Sequence, residues 1–73
     1  MDMRRVVALN LRRLREKAGL SQEELAARAG LARTYISGIE NGRRNPTIIV
    51  LHDIAVQLGA DPRELLNPDV LEK

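Results

Sequence analysis

Apolar residues recur along this chain at helical spacing, in short stripes separated by glycine, proline and asparagine. Val7, Leu11, Leu14 and Ala18 form the first stripe and Gly19 stops it, so the spacing predicts a helix over 3–18. Ser21 opens a second helix over 21–29, because serine is a good N-cap and Glu24 three positions on completes a capping box. Leu25, Ala26 and Ala29 share one face, and the small Ala26 lets two helix backbones come close. At Gly30 the chain reverses, since glycine takes a positive φ there without steric cost. Leu31 fills the inside of that turn. Ile36 and Ile39 anchor a third helix over 32–41, which ends at Asn41-Gly42. A loop, 42–46, leads to a fourth helix that starts near Thr47 and ends before Gly59, with a stripe of Ile48, Leu51, Ala55 and Leu58. Asp61-Pro62-Arg63-Glu64 then supplies an N-cap, a proline at the first helical position and an acid in the first turn. Leu65 and Leu66 continue this fifth helix, and Asn67-Pro68 ends it.

The fold class that follows is all-α: a compact five-helix bundle in one domain. The domain is expected over residues 7–66. Residues 1–6 are the start of helix one, partly disordered over the first two or three residues, and residues 67–73 are a C-terminal tail that frays or forms one more turn. A chain of 73 residues buries only about 60% of its unfolded surface, so dimerisation would add needed stability. Ile49, Val50 and Ile54 exceed what one stripe of helix four requires, as do Val70 and Leu71 near the end. These five are candidates for a homodimer interface, the other reading being a wider core face.

Residues 21–41 form a bihelical unit with a tight turn, and such a unit places its second helix in the major groove of DNA. Ala32, Arg33, Thr34, Ser37 and Gly38 are the positions left facing outward. Charge divides in the same sense. Residues 1–44 hold ten Lys or Arg against five acids, and residues 45–73 hold two against five. A basic half beside an acidic half fits one face for an anionic polymer, although uneven charge on solvated helices gives the same split.

Composition removes other classes. Without cysteine there are no disulfides and no thiolate zinc site, which fits a reducing cytoplasm. His52 is the only histidine and cannot form a metal site alone. It neighbours Asp53, but side chains at i and i+1 on a helix diverge, which does not suit a catalytic pair. Neither a Ser-His-Asp set nor a phosphate-binding glycine loop is present. A run of 18 apolar residues is also missing. The expectation is a cytoplasmic, non-enzymatic protein with no cofactor, metal, membrane contact or small-molecule ligand.

The residues also carry a resemblance. Leu20-Ser21-Gln22-Glu23-Glu24-Leu25-Ala26, Ala29-Gly30-Leu31, Tyr35-Ile36-Ser37, Ile39-Glu40-Asn41-Gly42 and Asn45-Pro46-Thr47 are similar to the phage-repressor and Cro type of helix-turn-helix, the xenobiotic-response-element family of bacterial regulators. The spacing of helix four and the string from Leu58 to Leu66 match as well, so the likeness covers residues 7–66. Within the family, Arg33 to Glu40 resembles the recognition helix of restriction-modification controller proteins. The resemblance implies a lambda-repressor-like domain that binds double-stranded DNA as a homodimer on a palindromic operator.

It also implies roles. Gln22 at the start of helix two would bond a DNA phosphate and brace the recognition helix, in keeping with a helix N-terminus as an anion site. Arg33 would either pair with guanine O6 and N7 or grip a phosphate. Thr34 and Ser37 can meet base edges or a thymine methyl, or simply cover the helix surface; Ala32 can touch only a methyl. Gly38 departs from the many relatives with a long polar residue there, which narrows readout or lets backbone approach the DNA. Tyr35 either reaches the DNA with its hydroxyl or packs as a structural ring. Asn41, Arg43 and Arg44 would hold the sugar-phosphate backbone. Arg15 and Glu40 would form a structural salt bridge that sets the tilt of the recognition helix. An antitoxin-like module that neutralises a partner and autoregulates its operon is the alternative function, weakened by the shortness of the segment after helix five.

Overall fold

A computed structural model describes residues 1–72. Among them are four α-helices, α1 (Met3–Lys17), α2 (Gln22–Ala29), α3 (Arg33–Glu40) and α4 (Ile48–Leu58), then two 3-10 helices, Pro62–Leu66 and Pro68–Glu72. The all-helical expectation holds, whereas the segment expected as a fifth helix is 3-10. The physical reason is length. Pro68 has no N–H to continue the ladder and restricts Asn67 before it, so only five residues remain, too few for a cooperative α-helix. The start of that segment matches the sequence reading: Asp61 caps it in a capping box with Glu64, and Pro62 follows. Arg63 donates from its side chain to Asp61, which holds the Asp61 carboxyl down at about 2.

The caps that sequence marked are present. Ser21 accepts from the Glu24 amide at 3.0 Å while the Glu24 carboxylate accepts from the Ser21 amide at 2.9 Å. Gly30 closes α2 at φ 69°, and the Leu31 amide bonds back to the Ala26 carbonyl at 2.9 Å. Asp2, expected among disordered leading residues, caps α1 by accepting from the Arg4 amide.

The core joins all four helices: Val7, Leu11 and Leu14 of α1, Leu25 and Ala26 of α2, Ile36 and Ile39 of α3, Leu51, Ile54 and Ala55 of α4, with Leu20 from the α1–α2 connection and Leu65 from the first 3-10 helix. Helix α1 packs against α3 and both 3-10 helices, and α2 packs against α3 and α4. Two stripe assignments change. Ala18 is the exposed C-cap of α1. On α4 the buried stripe is Leu51, Ile54 and Ala55, and Ile48 is 81% exposed. Ile54 therefore belongs to the core of the single chain and has no surface for a subunit interface. Both stripes satisfy the helical period, because 48–51 is apolar throughout and leaves the rotation of α4 open.

Of the other interface candidates, Ile49 is 71% exposed and Leu71 38%, while Val50 and Val70 are half-buried, Val50 against the core.

Asn10 is fully buried on α1 and was not anticipated. Its Nδ2 donates to the Leu65 carbonyl at 3.2 Å and the Asn67 carbonyl at 2.9 Å, tying the first 3-10 helix to α1. Replacing it with an apolar side chain leaves both carbonyls without this donor, that of Leu65 in a buried site. Asn10→Leu is expected to lower unfolding stability by about 1–3 kcal/mol in urea despite its larger apolar surface. An unchanged midpoint would contradict the role of this amide.

Candidate nucleic-acid interface

Helix α3 is amphipathic. Ile36 and Ile39 are at most 1% exposed and fix one side to the core. Arg33, Thr34, Ser37 and Gly38, spaced three and four apart from one another, share the opposite side. They share one shallow surface depression with Asn41, Arg43 and Arg44 from the helix end and the following loop. Seven of the ten proposed DNA-binding positions thus lie together. Ala32 adjoins them as the N-cap of α3, with no side-chain hydrogen bond over the first turn. Eight residues of helix are about 12 Å long, close to the width of the major groove.

The loop is folded back on this surface. The Arg43 and Arg44 amides both donate to the Gly38 carbonyl, at 2.8 and 3.2 Å. Asn41 donates from Nδ2 to Ser37 Oγ at 3.4 Å. The Arg44 guanidinium lies over the Tyr35 ring, 5.8 Å from its centroid, within cation–π range. Tyr35 is half-buried against the core, which gives the ring a structural role and leaves its face to Arg44.

Behind the depression, the Glu40 carboxylate is nearly buried, its side chain 4% exposed. Arg15 donates to it twice, from Nε at 2.6 Å and Nη2 at 3.0 Å. Arg15 Nη1 also donates to the Leu20 carbonyl at 2.8 Å. The hydrogen bond to Glu40 raises the Arg15 pKa above its ordinary value, with burial opposing, so the guanidinium stays charged. Gln22 Nε2 donates to the same carboxylate at 3.2 Å. Arg15 and Glu40 thus form the expected salt bridge, and Gln22 joins it from the start of α2. The bracing expected of Gln22 is a direct bond to the recognition helix.

Sequence reasoning missed two things here: the Gly38 carbonyl as the acceptor that fixes the loop, and Arg44 lying across α3. The available signal was the glycine itself, which costs about 1 kcal/mol in a helix interior.

A helix-turn-helix family model matches residues 11–65. This chain belongs to that helix-turn-helix family. It is 50% identical over 68 residues to an uncharacterized HTH-type transcriptional regulator, y4dJ, of Sinorhizobium fredii, covering 93% of this chain and 88% of the relative. The crystal structure of a hypothetical transcription factor, NHTF, from Neisseria superposes with a TM-score of 0.90 at 41% identity, covering 97% of this chain and 82% of that one. The restriction-modification controller protein C.Esp1396I superposes with a TM-score of 0.84 at 35% identity, over 97% of each chain. That structure is a tetramer in complex with its natural 35 base-pair operator. The resemblance to regulators, controller proteins among them, is thereby established.

The pair of Arg15 and Glu40 gives a testable consequence. Glu40→Ala leaves a guanidinium with 12% side-chain exposure facing no carboxylate. The variant is expected to lose about 3 kcal/mol of stability, several degrees or more in Tm, in a thermal melt. A melt superimposable on that of the parent chain would contradict the bracing role.

Proposed function

We propose that this protein is a sequence-specific, double-stranded DNA-binding transcriptional regulator, with α3 inserted in the major groove. The observation that carries the reading is the single face shared by Arg33, Thr34, Ser37, Gly38, Asn41, Arg43 and Arg44. Three arginines, base-reaching hydroxyls and helix dimensions that fit the groove meet there. Arg33, at the first position of α3, reads a base edge. Thr34 and Ser37 contact neighbouring base edges, and Ala32 is limited to a methyl contact. Asn41 and Arg43 hold the backbone, joined by Gln22 at the start of α2, and Arg44 lies across α3 on the same face. Tyr35 supports this surface from beneath.

The regulator acts as a homodimer on a palindromic operator. The chain is 30 Å in its longest dimension. Successive major-groove half-sites are about 34–36 Å apart, so reading two of them takes two copies. Exposed apolar side chains supply the contact: Ile49 and Val56 on one face of α4, and Ile48, Leu66 and Met3 around the groove between α1 and α4. The operator-bound assembly of C.Esp1396I supports the reading by likeness. Among the described residues, no helix is long and apolar enough to cross a membrane. A cytoplasmic location is part of this proposal.

The test is selection of bound fragments from random double-stranded DNA at about 0.15 M salt, where weak non-specific binding is screened. A palindrome is the expected product; no enriched motif would overturn the reading in favour of a partner-dependent one. On the selected site, Arg43→Ala is expected to weaken binding to all sequences alike and to reduce the salt slope by about one. Arg33→Ala is expected to relax preference at one base per half-site, by about tenfold. A uniform loss from Arg33→Ala would reassign that side chain to a phosphate.

A further inference from the structure

Gly38 is the helical residue at which an ordinary side chain meets an obstacle. A Cβ built there falls 2.6 Å from Arg44 Cγ, inside any real contact, and 3.5–3.6 Å from Arg44 Nε and Cδ. Its φ is not positive, so backbone conformation does not demand glycine. What demands it is the Arg44 side chain, whose stem runs over the bare helix backbone. Three features converge on that path. The Gly38 carbonyl holds the Arg44 amide, the absent side chain leaves room for the stem, and the Tyr35 face, one turn back on α3, receives the guanidinium.

We infer that Gly38 is a positioning residue for Arg44. By leaving a channel across the recognition helix, it lets a loop arginine take the place a residue-38 side chain would hold, making Arg44 a determinant of base preference. The inference rests on the DNA-binding reading and deepens it. From sequence alone Gly38 is a lost reader and Arg44 a backbone contact; in the fold the two make one composite reader. Exposed Arg44 can swing away at little cost to the fold, so a methyl at position 38 evicts it from the helix without unfolding the chain. Alanine also favours helix over glycine, so stability should hold or rise.

Two measurements decide it. The first needs no DNA. Tyr35 is the only Phe, Tyr or Trp, and its ring centroid lies 5.8 Å from the Arg44 guanidinium, so ring-current shifts on Arg44 side-chain protons report this stacking. The expected result is an upfield shift in the parent chain that disappears in Gly38→Ala, with Tm equal or higher. No shift in the parent, or a shift retained in Gly38→Ala, overturns the inference. The second is a cycle on the selected operator with Gly38→Ala, Arg44→Ala and the double variant. Each single variant should lose about tenfold in discrimination at the same base position. Gly38→Ala should then add nothing in the Arg44→Ala background. An unchanged preference in Gly38→Ala overturns the inference. So does a Gly38→Ala effect that persists without Arg44, since the new methyl would then be striking the DNA itself. If the parent chain selects no DNA motif, the functional reading fails by itself and the ring-current comparison decides whether Gly38 positions Arg44.

Discussion

The Glu40 carboxylate accepts hydrogen bonds from Arg15 of α1 and Gln22 of α2 while itself ending α3. Three helices meet at this one nearly buried group, a geometry suited to setting the direction of α3. Apolar packing alone does not fix that direction. Ile36 and Ile39 hold α3 to the core with Tyr35 packed beside them, and apolar contacts, which are not directional, leave a short helix room to rock. A bidentate guanidinium–carboxylate pair removes that freedom, because its geometry tolerates little rotation. Arg15 also takes the Leu20 carbonyl, so the pair carries the α1–α2 connection with it. A charge pair of this burial is a poor source of net stability compared with apolar residues of similar volume. Its value here is the angle it imposes.

From that angle the binding surface follows. With Ile36 and Ile39 inward, the opposite residues of α3 face solvent, and the loop carrying Arg43 and Arg44 is bonded back to Gly38 beside them. The α2–α3 turn at Gly30 sets where α3 begins, and the brace sets how it leans. The same packing separates two tasks along the chain. The basic first 44 residues build the face proposed for DNA, and the more acidic remainder builds α4 and the 3-10 helices, where the exposed Ile48, Ile49 and Val56 lie. One region repels a like polyanion, and the other attracts it, so the two surfaces do not compete for the same ligand.

Much of this was legible in the sequence, for identifiable reasons. Ser21 with Glu24, Gly30 and the Ile36–Ile39 spacing each have one dominant structural solution, and they mark α2, the turn and α3 within a residue. The Arg15–Glu40 pair was legible only through family likeness, since no periodicity links positions 25 residues apart. The rotation of α4 was not legible, because a four-residue apolar run fits more than one stripe, and Ile54 was consequently placed at an interface rather than in the core. The fifth helix was misjudged in type, because its caps are those of an α-helix while its length suits only 3-10. Asn10 carried a signal that was not used: it lies four residues from both Val6 and Leu14, in line with the buried face of α1. A polar residue on such a line is an amide with partners to be found. Gly38 stands out in the sequence as a glycine inside a helix, but its relation to Arg44 takes the folded loop to see.

The most direct measurement is operator affinity of a chain in which the brace is replaced by apolar residues, Arg15→Met with Glu40→Leu, with melting followed in parallel. Neither residue lines the surface depression on α3, and similar volume with no orphaned charge keeps the chain folded, at a cost of about 1–3 kcal/mol for the partners lost by the Leu20 carbonyl and Gln22. Operator affinity and base discrimination are expected to fall at least tenfold while the fold persists, because α3 no longer holds its angle. A folded double variant that binds the operator with unchanged affinity and preference would contradict it.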